Sequence, residues 1–126
     1  MLVLDSGGVT GLAERSTRAL ALIQSLRSTQ QWPPVVPTIV LVECLQGHPS
    51  RDAGTNRFLK TCVIDIAVSE GVARRAAQLR RQAGQGSAVD ALVVAFAEPG
   101  GTVLTGDRAD LEALAAYAHD VGVELV

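Results

Sequence analysis

Aromatic side chains are scarce: they make up 3% of the 126 residues, as Trp32, Phe58, Phe96 and Tyr117. A core with so few rings must be aliphatic, built from Ala, Val and Leu, and bases of a single-stranded nucleic acid would find few platforms to stack on. Cysteine is scarce too. Cys44 and Cys62 have apolar neighbours and no Cys-x-x-Cys spacing, which speaks against a disulfide framework or a zinc centre and predicts two small buried hydrophobes. Lysine occurs once, at Lys60, against ten arginines, and the net charge is −2. A generally basic nucleic-acid coat protein is thereby excluded, so any nucleic-acid contact must use a local patch or metal ions. No apolar run reaches the roughly 18 residues of a membrane span, since Asp90 interrupts the longest one. Met1-Leu-Val-Leu4 carries no basic lead before Asp5, so a secretory signal is not expected and a cytoplasmic setting is.

What the chain does have is globular composition, 48% apolar and 19% charged, at a length typical of one domain. Apolar residues 2–4 read as a buried strand that turns into a loop at Asp5-Ser-Gly-Gly8. Leu12, Ala19, Leu20, Ile23 and Leu26 recur at helical spacing, which predicts one helix over 12–26. Prolines 33, 34 and 37 bracket a very short strand at 35–36. Residues 38–45 fit strand or helix by periodicity; Pro37 at the entry and Gly47 at the exit favour a helix. Further helices are expected at 51–61, at 69–82 with Ser69 as N-cap, at 88–97 and at 107–118. Strands are expected at 63–67, 102–105 and 123–126. Strands alternating with helices predict an α/β fold whose central, mostly parallel sheet is flanked by helices.

Four acids stand where chemistry would sit. Asp5 and Asp107 follow strands, at the end of a parallel sheet where ligand sites form, while Glu43 and Asp90 interrupt the most apolar predicted helices. Each has a plain structural reading. Asp5 suits a turn, Asp107 an N-cap with Asp110 in the first turn, Asp90 a capping box with Ser87, and Glu43 a solvent stripe with Gln46. Taken together those readings need four coincidences. Convergence accounts for all four at once: carboxylates held close together require cations, and an oxygen-only donor set suits Mg²⁺ or Mn²⁺ rather than zinc. His48, in a Gly-His-Pro loop, and His119, late in the chain, are expected at the surface. Paired hard ions would activate water and stabilise the leaving oxygen of a phosphodiester, which makes such a cluster a nuclease signature.

Asp5 after an apolar strand, Val42-Glu-Cys-Leu-Gln-Gly47, Asp90-Ala-Leu-Val-Val-Ala-Phe-Ala97 and Val103-Leu-Thr-Gly-Asp107 resemble the four acidic motifs of PIN domains. Length and element order are similar to the VapC ribonuclease toxins of bacterial toxin–antitoxin pairs. The resemblance spans essentially the whole chain, and its specificity lies in the order and spacing of the motifs. It implies a PIN-like three-layer sandwich and an endoribonuclease whose Asp5, Glu43, Asp90 and Asp107 hold Mg²⁺ or Mn²⁺. It also implies a homodimer and a cognate antitoxin whose tail enters the acidic groove. Two departures stand out. Ser6-Gly-Gly8 replaces a turn that is more often rich in Ser or Thr, and Arg108-Ala-Asp-Leu111 lacks an aromatic residue, so Asp110 could share the role of Asp107. Thr105 is a candidate support for the site through its hydroxyl.

For the RNA backbone the candidates are Arg74, Arg75, Arg80 and Arg81 on one helix, together with Arg108. On a helix such spacing also describes an ordinary solvated face. Trp32, beside Pro33-Pro34, reads as a lid on the core. Two other functions compete. A phospho-acceptor signalling domain would also gather acids at strand ends, but it wants a late lysine, and none follows Lys60. A non-catalytic interaction domain on the same fold would differ only in metal-dependent activity.

Overall fold

Leu2, Val3 and Leu4 are all buried, a pattern that only a central strand covered on both faces requires. In the computed structural model, which describes residues 1–66 and 68–126, they form β1 (Leu2–Leu4). It pairs in parallel with β2 (Val35–Pro37) on one side and β4 (Thr102–Thr105) on the other. β3 (Val63–Asp65) and β5 (Gly122–Leu125) form the edges, both parallel, in the order β3-β2-β1-β4-β5. The sheet among the described residues is therefore wholly parallel, a sharper outcome than the mostly parallel one expected. Its edges are solvated, as the exposed Val63 and Leu125 show.

The helices are α1 (Ser6–Ala13), α2 (Thr17–Ser28), α3 (Thr38–Cys44), α4 (Ala53–Leu59), α5 (Glu70–Ala83), α6 (Ala88–Ala97) and α7 (Ala109–Ala115). Parallel crossovers are right-handed. The chain steps from β1 outward through β2 to β3, and later in the opposite direction to β4 and β5, so the two sets of connecting helices fall on opposite faces. α1 packs against α2, α3 and α4, whereas α5, α6 and α7 pack on one another, and α1 and α6 both cover β1 and β4. The result is a three-layer α/β sandwich with an aliphatic core, in which Leu12, Val36, Val40, Leu79, Val94 and Leu114 are fully buried.

Several elements differ from the sequence reading. The helix expected at 12–26 is two helices. Arg15 adopts φ 56°, a left-handed turn that ends α1, and the Ser16 hydroxyl accepts from Ala19 N at 3.1 Å to start α2. Residues 5–8, expected as a loop, lead straight into α1 because Asp5 caps it. α4 and α7 are shorter than predicted at both ends. β3 ends at Asp65, and residue 67 of the predicted strand lies outside the described residues. By contrast α5 begins after its Ser69 cap and stops at Gly84, whose φ of 67° suits a residue without Cβ. α6 spans the predicted residues 88–97.

Candidate active site at the carboxyl end of the sheet

The order in which strands join the sheet changes direction between β1 and β4, which makes the carboxyl ends of these two parallel strands the topological switch point where loops diverge and ligand sites form. Asp5 sits there, immediately after β1, and is 8% exposed. Its Oδ1 accepts from Gly8 N at 2.7 Å, capping α1, and its Oδ2 accepts from the Thr105 hydroxyl at 2.6 Å. The same hydroxyl accepts from Asp107 N at 3.1 Å, so one side chain ties the end of β1 to the loop after β4. Thr105, suspected from sequence as a support, is the hinge of this arrangement.

Two glycines make that closeness possible. A Cβ on Gly7 would stand 2.6 Å from Gly106 N, and one on Gly8 would collide with the carbonyl oxygen of Leu104. α1 can rest against the end of β4 only because neither residue has a side chain. Their role was not apparent in the sequence, where Gly-Gly after a strand reads as a turn.

Asp90 lies in the first turn of α6 and is half-buried. The capping box is real: Asp90 Oδ2 accepts from Ser87 N at 2.9 Å, and Ser87 Oγ accepts from Asp90 N at 3.0 Å. The plain reading of this acid therefore holds, and it does not exclude a second role. Burial pushes the Asp5 carboxyl above the ordinary carboxylate range and the nearby charge of Asp90 pushes it further, against the pull of the Thr105 and Gly8 hydrogen bonds. The charge of Asp90 thus reaches the Asp5 carboxyl, a repulsion that a cation would relieve.

Asp107 and Glu43 are placed differently. Asp107 is exposed, its Oδ1 accepting from Ala109 N at 3.2 Å ahead of α7. Glu43 is exposed in the last turn of α3, beside Val42, which is 82% exposed. Asp110 accepts from Gln85 Nε2 at 3.1 Å, joining α7 to the turn before α6. Among the described residues no three of His, Cys, Asp and Glu stand close enough to hold one ion together. The fold bonds Asp5 to Thr105 and leaves Asp90 within electrostatic reach of Asp5, whereas the side chains of Glu43 and Asp107 are exposed and bond to neither acid. The donor chemistry fits a hard cation, with Asp5 and Asp90 as the residues that would hold it. Thiolates offer no competing site. Burial pushes Cys62 up to about 11 and raises Cys44, so both stay protonated near neutrality.

The arginines divide. Arg74 is exposed and pairs with Glu70 at 2.8 Å, and Arg108 pairs with Glu112 at 2.7 Å, both as helical i,i+4 pairs of small energetic weight. Arg81 is exposed on α5. Arg80 donates to the Gly86 carbonyl at 3.2 Å. Arg75, a candidate RNA contact by sequence, serves the fold instead. It grips both carboxylate oxygens of Glu98, 2.8 Å at the closest, and donates to the Tyr117 carbonyl. The reason is Glu98, whose side chain is only 10% exposed and needs a counter-charge. Arg75 holds the Glu98 carboxyl below the usual carboxylate range. A depressed folded-state value means stability that is complete above the unfolded value of about 4 and is lost as pH falls through the folded one. Glu98→Ala is expected to cost about 2–3 kcal/mol in urea unfolding at pH 7. It is also expected to lessen the loss of stability on acidification; an acid limb of unchanged steepness would refute this.

An acid that sequence reading passed over, Asp52, is 5% exposed and accepts from the backbone N–H groups of Gln46, Gly47 and His48. These bonds hold it below the carboxylate range. It orders the loop after α3, the segment that carries Glu43 into the next helix. The sequence reading placed it inside the helix expected at 51–61, whereas α4 begins one residue after it.

No family model matches the chain, and no curated protein matches its sequence.

Proposed function

We propose that this chain is a Mg²⁺- or Mn²⁺-dependent endoribonuclease of the PIN-domain kind, acting as the VapC-type toxin of a bacterial toxin–antitoxin pair in the cytoplasm. The observation that carries the proposal is the buried Asp5 at the switch point, hydrogen-bonded to Thr105 and raised chiefly by its burial, with a smaller push from the charge of Asp90. A buried carboxylate beside a second acid in a cleft is costly for the fold and useful for chemistry. When bound, a divalent ion supplies Lewis acidity at the scissile phosphate and a nucleophilic water near neutral pH.

The chain's own residues have distinct tasks. Thr105 and Gly8 donate to Asp5 and hold its carboxyl group in one rotamer, aimed at the switch point. Ser87 N likewise fixes the orientation of the Asp90 carboxylate. Glu43 and Asp107, both exposed, are the remaining proposed ligands of the ion. Arg74, Arg81 and Arg108 steer the RNA backbone, since a polyanion approaching an acidic site needs cations at its edge. With four aromatic residues in all, recognition relies on RNA shape more than on stacking. A second copy of the chain and an antitoxin protein are the proposed macromolecular partners. The strand order 3-2-1-4-5 also favours this reading over a phospho-acceptor domain, which uses the flavodoxin-like order 2-1-3-4-5.

The direct test incubates the purified chain with total bacterial RNA and Mn²⁺, alongside Asp90→Asn and an EDTA control. Asn retains an oxygen for the Ser87 cap, so the variant keeps its fold. Discrete fragments should come from the wild type alone and vanish with EDTA. Equal cleavage by Asp90→Asn would remove Asp90 from the site, and an inactive wild type that binds no Mn²⁺ would leave a non-catalytic interaction domain as the better description.

A further inference from the structure

A cavity of about 410 Å³ opens between α1, α2 and α4, and none of the four acids lines it. Its walls are Leu12 from α1, Leu20 and Ile23 from α2, Phe58 from α4, and Trp32 from the loop before β2. Trp32 meets Phe58 edge to face with centroids 6.3 Å apart, so half of the chain's aromatic residues are gathered at this one place. Leu20 is left 44% exposed in the wall. An apolar hollow of this size falls within the range of small-molecule sites.

Its rim is cationic. Arg15, Arg27 and Arg57 all line the cavity and no acid does. Among the described residues the salt bridges are Arg74–Glu70, Arg75–Glu98 and Arg108–Glu112, so the three rim arginines have no carboxylate partner. Arg27 lies over the Trp32 ring at 5.1 Å, which holds its guanidinium at the mouth of the apolar space. In a chain of net charge −2, three uncompensated cations around a hydrophobic hollow are a local excess, and they select an anion joined to an apolar body.

We propose that this pocket binds an amphiphilic monocarboxylate, its aliphatic tail on Leu20, Ile23, Trp32 and Phe58 and its head group on the arginine rim. This site is separate from the Asp5 site and stands whether or not the chain cleaves RNA.

Trp32 is the single tryptophan, so its fluorescence reports on the pocket directly. Octanoate, decanoate and dodecanoate would be titrated below their micellar concentrations, with 1-decanol as the uncharged control and calorimetry as a second readout. The expected result is a saturable blue shift, with affinity rising about fourfold per added methylene until the cavity is full. Decanoate should bind at least about tenfold more weakly to Arg27→Gln/Arg57→Gln, while decanol is unaffected. Both substitutions lie on exposed side chains, so the variant should keep the wild-type melting temperature. Absence of saturable binding by either readout would overturn the proposal, as would equal affinity for decanol and decanoate. So would binding of an acidic, apolar peptide in place of the carboxylates, which would make the cavity a protein-docking groove.

Discussion

Asp5→Asn is expected to lower metal-dependent RNA cleavage by about 10²–10³-fold, because a cation's stabilisation of transition-state charge is worth several kcal/mol and Asp5 is its most buried proposed holder. The same variant is expected to melt no lower than the wild type at pH 7. Burial raises the folded-state value of this acid above its unfolded one. Its favourable contribution to stability is therefore complete only below the unfolded value near 4 and is lost as pH rises through the folded value. Above that folded value the ionised side chain is a burden on the fold. Asn relieves it, since its oxygen can still accept from Gly8 N as an N-cap and its amide can donate to Thr105. Adding Mn²⁺ should raise the melting temperature of the wild type and not that of the variant, by mass action on the folded state. Thermal melts with and without Mn²⁺ check this. A variant that melts several degrees lower and responds to Mn²⁺ as the wild type does would assign Asp5 a structural role alone.

Gly8→Ala is expected to be the most destabilising small substitution in the chain, at about 3 kcal/mol or more. The added Cβ would collide with the Leu104 carbonyl, a strand backbone atom that cannot turn aside as a side chain can. Relief requires α1 to move off the end of β4, which would break the 2.6 Å bond between Thr105 and Asp5. Cleavage should therefore fall even in the fraction that remains folded. Urea unfolding gives the first effect. For the second, activity per folded molecule would be measured below the unfolding transition. A stability within about 0.5 kcal/mol of wild type would mean that the helix and strand are not held at this distance in solution.

Much of the architecture was readable because it depends on local signals. Ser69 before Glu70, Ser87 before Ala88 and Gly84 after Ala83 mark helix ends that the structure reproduces. The β-branched Val63 and Ile64, at the start of the strand expected over 63–67, and the apolar run at 2–4 mark strands. The failures occur where a local signal was weak or ambiguous. Arg15 takes a left-handed turn that glycine or asparagine more often provides, so two helices read as one. Gly7-Gly8 look like a turn until β4 arrives beside them. Arg75 looked like one more solvated arginine because its partner, Glu98, lies twenty-three positions away in the chain.

By itself the sequence determined the α/β class, the alternation that makes the sheet parallel and the aliphatic core, since composition, periodicity and capping are properties of neighbours in the chain. Tertiary structure decided the rest. It set the strand order and with it the switch point where Asp5 lies, and it joined Asp5 to Thr105 across 100 positions. It left Glu43 exposed and drew Arg75 into the fold. It also gathered Trp32, Phe58 and three arginines around one cavity. These depend on distances between residues remote in sequence, which only the packing of complete layers establishes.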